Sequence, residues 1–156
     1  MATNQKGFSL MEMLIVAGII LLIAAIAIPS LLHGKASANQ ASAVTTMHAL
    51  ASACNTYADT YRRGYPATLS NLGPSADPDI TAANLVDGML AGGYKSGYNF
   101  VLVSGTPDAS GYITTYTINA NPASTASGNR YFYVDQRGVM TSSETGPATS
   151  TDAAVE

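Results

Sequence analysis

Tryptophan is missing from this 156-residue chain, cysteine occurs once, and charged side chains make up only 11% of it. A lone Cys54 excludes an internal disulfide framework, whatever the compartment. The few charges sum to a formal net of -3, and Lys35, Lys95, Arg62, Arg63, Arg130 and Arg137 are scattered among the acids without forming a stripe. So weak a field argues against a nucleic-acid partner. The chain also lacks a Gly-x-Ser-x-Gly elbow, a phosphate-binding loop, a His-Glu-x-x-His pair and a Cys-x-x-Cys pair. His33 and His48 have no companions at metal-ligand spacing, and Asp77 and Asp79 are too sparse for a calcium loop. No catalytic residue, metal or cofactor is expected, and the chain is not read as an enzyme. The nine tyrosines and three phenylalanines read as strand and core packing.

One part of the chain is rich in what the rest lacks. From Phe8 to Ile28 only Ser9 and Glu12 are polar. As a helix rising about 1.5 Å per residue, this run spans roughly 31 Å, the thickness of a bilayer's hydrocarbon core. A secretory signal peptide would place small cleavage-site residues after the apolar stretch and lose that stretch on processing. Here Lys6 and Gly7 stand before it instead. Hydropathy alone leaves a plain signal anchor open, with Lys6 as its cytoplasmic flank. Gly18 and Pro29 interrupt the helix propensity, and Pro29 is expected to kink the helix.

The string Lys6-Gly7-Phe8-Ser9-Leu10-Met11-Glu12-Met13-Leu14-Ile15-Val16, closed by Pro29, resembles the N-terminal processing and methylation motif of type IV pilins and type II secretion pseudopilins. The resemblance implies that prepilin peptidase cuts after Gly7, removes residues 1–7 as a leader and methylates the new amine of Phe8. Residues 8–29 then stay with the mature protein as a transmembrane and assembly helix. It further implies that Glu12 pairs with the Phe8 amine of a neighbouring copy. A carboxylate in a bilayer costs about 2.5 to 3.5 kcal/mol and persists only with a partner or a role. A buried ion pair adds little net stability, but a wrong stagger leaves a charge unpaired, so Glu12 would set register. The expected partners are further copies of the chain in a homopolymer filament, prepilin peptidase, an assembly ATPase with its platform protein, and the membrane as reservoir. The precursor is expected in the inner membrane with its head outside the cytoplasm, and then in a surface filament. Two other roles fit the same motif: a pseudopilin of a type II secretion system, and a minor pilin acting as an adhesin or DNA-uptake module with specificity in residues 119–129 or the tail. Major pseudopilins usually carry a Pro-x-Asp-Pro-Trp-Gly-like segment, and this chain has no such run. That favours the pilus.

Beyond Ser30, residues 30–63 read as the amphipathic half of the same helix. Val44, Met47, Ala51, Cys54, Ala58 and Tyr61 recur at spacings of three and four, with Leu50 and Tyr57 widening the stripe. Cys54, central in the stripe, is expected to be a buried apolar side chain and not a reactive thiol. Gly64 and Pro66 should end the helix. Residues 64–97 read as a loop with a short helix over 82–90, and Arg62-Arg63-Gly64-Tyr65-Pro66 is similar to the segment that leaves the long helix in many pilins. Strands are expected at 98–103, 112–118, 130–134 and 139–140, with a long excursion at 119–128 and a tight turn at Asp135–Gly138. Residues 64–141 would form the head and 142–156 an exposed tail. The expected fold is α+β and pilin-like: a long N-terminal helix whose second half packs on a small antiparallel sheet.

Overall fold

The computed structural model describes residues 7–155. The expected leader therefore lies outside the described residues, apart from Gly7. Two units are distinguished, one up to Lys35 and one from Ala36 on. A single helix, α1 (Leu10–Tyr61), contributes to both and contains Pro29. In the second unit α1 packs on a six-stranded antiparallel meander: β1 (Tyr94–Lys95), β2 (Tyr98–Ser104), β3 (Tyr116–Pro122), β4 (Tyr131–Asp135), β5 (Met140–Ser143) and β6 (Ala153–Ala154), in spatial order β1 to β6. The expected α+β arrangement of a long helix on an antiparallel sheet is the one found.

The core follows from two periodicities meeting. Along α1 the buried positions are Ala43, Met47, Leu50, Cys54 and Tyr57, spaced by four and three, with Thr46 and Ala53 beside them. This face is turned slightly from the expected stripe, so that Val44 and Tyr61 are only partly buried and Thr46, which is not among the stripe residues, is covered. Opposite it, Tyr98, Phe100, Tyr116, Ile118, Ala120, Phe132, Val134 and Met140 alternate with outward residues, as a strand period of two requires.

β3 lies four residues beyond its expected place. Asn119, Asn121 and Pro122 are poor strand formers, but pairing with β2 overrides propensity: Tyr98 faces Pro122, and Val101 faces Asn119. Phe100 donates its N–H away from β3, to the Gly93 carbonyl at 2.7 Å. The backbone N–H and C=O groups of even-numbered β2 residues thus face away from β3, and Pro122, opposite Tyr98, breaks no ladder bond. Ahead of β3, Ile113 bridges to Gly64, and Tyr65 N–H donates to the Ile113 carbonyl at 2.8 Å. Gly64 has φ +83°, and a Cβ there would collide with the Ile113 backbone, so only glycine fits.

The expected helix over 82–90 is only α2 (Gly88–Ala91), with the Asp87 carboxylate capping Leu90 N–H at 2.9 Å. Residues 83–86 instead bond by their backbone to Asn71, Leu72 and Gly73. Their N–H groups find partners in the single 3₁₀ turn Leu69–Leu72, and a continuing helix would have had to supply its own. The hairpin at Asp135–Gly138 forms as expected, with Gly138 at φ +76° and its N–H donating to the Asp135 carbonyl. Arg137 adds bonds from Nε and Nη2 to Asp135 Oδ2 at 2.9 and 2.6 Å. These hold the buried Asp135 carboxyl below the usual range despite its burial.

The C-terminal segment corrects the sequence reading. Of the segment 142–156, the described residues 142–155 do not form a free tail: Ser142 and Ser143 complete β5, β6 pairs with it, and Val155 N–H donates to the Met140 carbonyl at 2.9 Å. Between those strands the chain folds back as a strap across the outer face of the sheet. Asn119, Tyr133 and Thr141 occupy one cross-strand row. Asn119 Nδ2 donates to the Ala148 carbonyl at 2.9 Å, Thr141 Oγ1 donates to the Thr149 carbonyl at 2.6 Å, and Ala148 is buried. Composition suggested mobility because Ser, Thr and Pro bury little apolar surface. Here hydrogen bonds to a row of polar outward side chains hold the segment.

Two measurements follow. Burial raises the Cys54 thiol from its ordinary 9.0 to about 12, and the side chain is fully enclosed. At pH 8 its thiolate is about a thousandfold scarcer than that of a free thiol, so labelling of the folded chain should be slow and should accelerate on unfolding. Because the folded value is raised, this contribution to stability is complete below pH 9.0 and disappears as pH rises through about 12. Removing the strap's two side-chain bonds with Asn119→Ala and Thr141→Val should destabilise the head by about 2 kcal/mol in chemical denaturation of the detergent-solubilised chain.

Candidate processing and assembly helix

The first unit is a helix without a protein core. From Gly7 to Lys35 every residue is exposed except Ala24, which is half-buried. Sixteen large apolar side chains between Phe8 and Leu32 are uncovered, Phe8 at 72%. At about 1.5 to 3 kcal/mol for each side chain, leaving them in water forgoes on the order of 30 kcal/mol. An 18-residue window of this helix has a mean hydropathy of 2.8 and none of it is buried. A bilayer, or the apolar faces of similar helices, would cover such a surface, and both satisfy the backbone internally.

Gly7, Phe8 and Ser9 precede the first turn, and the Ser9 carbonyl accepts from Glu12 N–H at 3.1 Å and Met13 N–H at 3.2 Å. The Gly7–Phe8 peptide bond is thus outside the helical hydrogen-bond ladder. A Cβ on Gly7 would meet nothing within 4 Å. Packing among the described residues therefore places no demand for glycine at position 7. Glu12 lies in the first turn and is exposed, the only charged residue from Phe8 to Leu32. A carboxylate there also favours the positive end of the helix dipole. Pro29 lies within α1, which continues past it on both sides. Gly7, Phe8, Glu12 and Pro29 therefore all fall on the uncovered segment.

In the second unit, sequence reasoning missed the outer-face row that receives the strap. Asn119 and Thr141 looked like loop and terminal residues because their partners are carbonyls contributed from far along the chain. The strap also brings Glu144 beside Tyr131 and residues 122–129, around a hollow of about 340 Å³. Among the described residues there is no cluster of His, Cys, Asp and Glu that could hold a metal. A lysine at position 20, midway along the uncovered run, should cost about 2.5 to 3.5 kcal/mol of insertion free energy. Ile20→Lys is therefore expected to shift the chain out of the carbonate-resistant membrane fraction.

Residues 2–28 match the model of the prokaryotic N-terminal methylation motif. No curated protein and no solved structure matches the chain. The match covers Gly7, Phe8, the apolar run and Glu12 together, with Gly7 and Phe8 ahead of the first turn of an uncovered helix. By that motif, the chain carries the prepilin-type signal of type IV pilins and pseudopilins.

Proposed function

We propose that this chain is a structural subunit of a type IV pilus-like filament. Prepilin peptidase cleaves it after Gly7 and methylates the Phe8 amine, and assembly proceeds through the helix that begins there. The observation that carries this reading is the uncovered apolar helix bearing one carboxylate four residues after the processing glycine's neighbour. The membrane covers that helix in the precursor, and like helices cover it in the polymer. Within a bundle of such helices Glu12 has one available counter-charge, the Phe8 amine of another copy, and its role is register. An assembly ATPase and platform protein would extract the subunit. The head would lie outside the cytoplasm and form the filament surface. The absence of a Pro-x-Asp-Pro-Trp-Gly-like run favours a pilus over a secretion pseudopilus.

Intact-mass analysis of sheared surface filaments should show a chain beginning at Phe8 with one added methyl group. A filament subunit retaining Met1 to Gly7, or beginning after Ile28, would refute the reading. Glu12→Ala should leave the chain in the membrane fraction, since it makes the segment more apolar. Filament yield by electron microscopy should fall at least tenfold, and normal filaments would show that Glu12 has no register role.

A further inference from the structure

Two features at opposite ends of the head portion of α1 have complementary chemistry. At its N-terminal end, the loop after β3 and the start of the strap enclose the 340 Å³ hollow lined by Ser124, Thr125, Asn129, Tyr131 and Glu144, among others. Its place is fixed by α1, because Gln40 Nε2 donates to Asn129 Oδ1 at 2.8 Å and Asn39 Nδ2 donates to the Ser127 carbonyl at 3.0 Å. Among the described residues the ion pairs are Lys95–Asp87 and Arg137–Asp135, which leaves the exposed Glu144 carboxylate without a cation. The lining offers this carboxylate, three hydroxyls, an amide carbonyl and the ring of Tyr131. A guanidinium suits that set: it has five N–H donors, no acceptor, and a flat face that stacks on an aromatic ring.

At the other end, α1 stops at Tyr61 and the next residue, Arg62, takes φ +51°. Helices often close on such a left-handed residue, but Gly or Asn is usual there, and an arginine is disfavoured. Arg62 and Arg63 are both exposed and take no part in the ion pairs named above. A cation here complements the helix dipole, yet that alone does not require the strained position. Gln40 and Tyr61 are separated by about 32 Å of helix, so Arg62 cannot reach the hollow of its own chain. A copy displaced along the helix direction by about that length can receive it.

The geometry points to a second copy of this chain as the occupant of the hollow: Arg62 of one copy pairs with Glu144 and stacks on Tyr131 of the next. The contact joins unlike surfaces, so it propagates as an open array and does not close a dimer. Being exposed, the pair sets register and partner choice more than affinity. This inference rests on the filament reading and adds a head-to-head contact to it.

Charge reversal in the full-length chain, expressed in a piliated host, tests it. Glu144→Arg alone and Arg62→Glu alone should each reduce sheared filaments at least fivefold at unchanged membrane levels of the subunit, and the combined swap should restore them. Normal filaments from either single reversal, or no restoration by the swap in a chain that accumulates normally, would overturn the contact. Glu12-dependent assembly would stand in either case, because wild-type filaments and their loss in Glu12→Ala report on that reading separately. Arg62→Gly relieves the left-handed strain, so it should raise the thermal midpoint of the solubilised chain while still lowering filament yield. If the combined variant fails to accumulate, Glu144→Cys with Arg62→Cys decides. A ladder of disulfide-linked oligomers from filaments supports the contact, and monomers alone refute it.

Discussion

A single helix that requires two different surroundings is the constraint on which the rest of this structure depends. The first part of α1 carries apolar side chains on all sides, whereas the part beyond Ala36 buries one face on the sheet and leaves the other polar. An all-round apolar helix is stable only where no water reaches it, and a one-sided helix requires a packed partner. The chain therefore has a segment whose apolar surface its own described residues leave uncovered, and a segment that folds on itself. The match to the N-terminal methylation motif, residues 2–28, lies on the first of these segments.

The head has no disulfide to secure its C-terminal strands, since Cys54 is the chain's sole cysteine and sits buried on α1. Hydrogen bonds take on that task. β6 pairs with β5, and carbonyls of the strap between them accept from Asn119 and Thr141 across the outer face. Each such bond contributes only about 1 kcal/mol net, but several act on one short segment and on adjacent strands. On the inner side, apolar burial between α1 and the sheet does the larger share. The Gly64–Ile113 bridge, at a position only glycine can occupy, ties the end of α1 to the chain ahead of β3.

Electrostatics in this protein is sparse and therefore specific. Glu12 is alone in its apolar surroundings, and Glu144 and Arg62 are exposed without partners among the ion pairs described. Isolated charges of this kind contribute little to the stability of one chain. They discriminate among ways of placing two chains together, because a misplaced copy leaves a charge without its counter-charge.

The sequence by itself determined what depends on local pattern. The uncovered helix, the buried Cys54 and the Gly138 turn were all legible, because apolar run length, helical period and left-handed glycine are properties of contiguous residues. The central strands were legible in kind, and tertiary pairing decided their limits. β3 moved onto Asn119–Pro122 because β2 offered ladder partners there and Ile113 was engaged by Gly64. Residues 83–86 gave up their helical reading because the 3₁₀ turn satisfied their N–H groups. The strap was invisible in composition, since polar Ser and Thr segments order only when distant acceptors and donors meet them in register. Asn119 and Ala148, 29 positions apart, become partners only once the sheet exists.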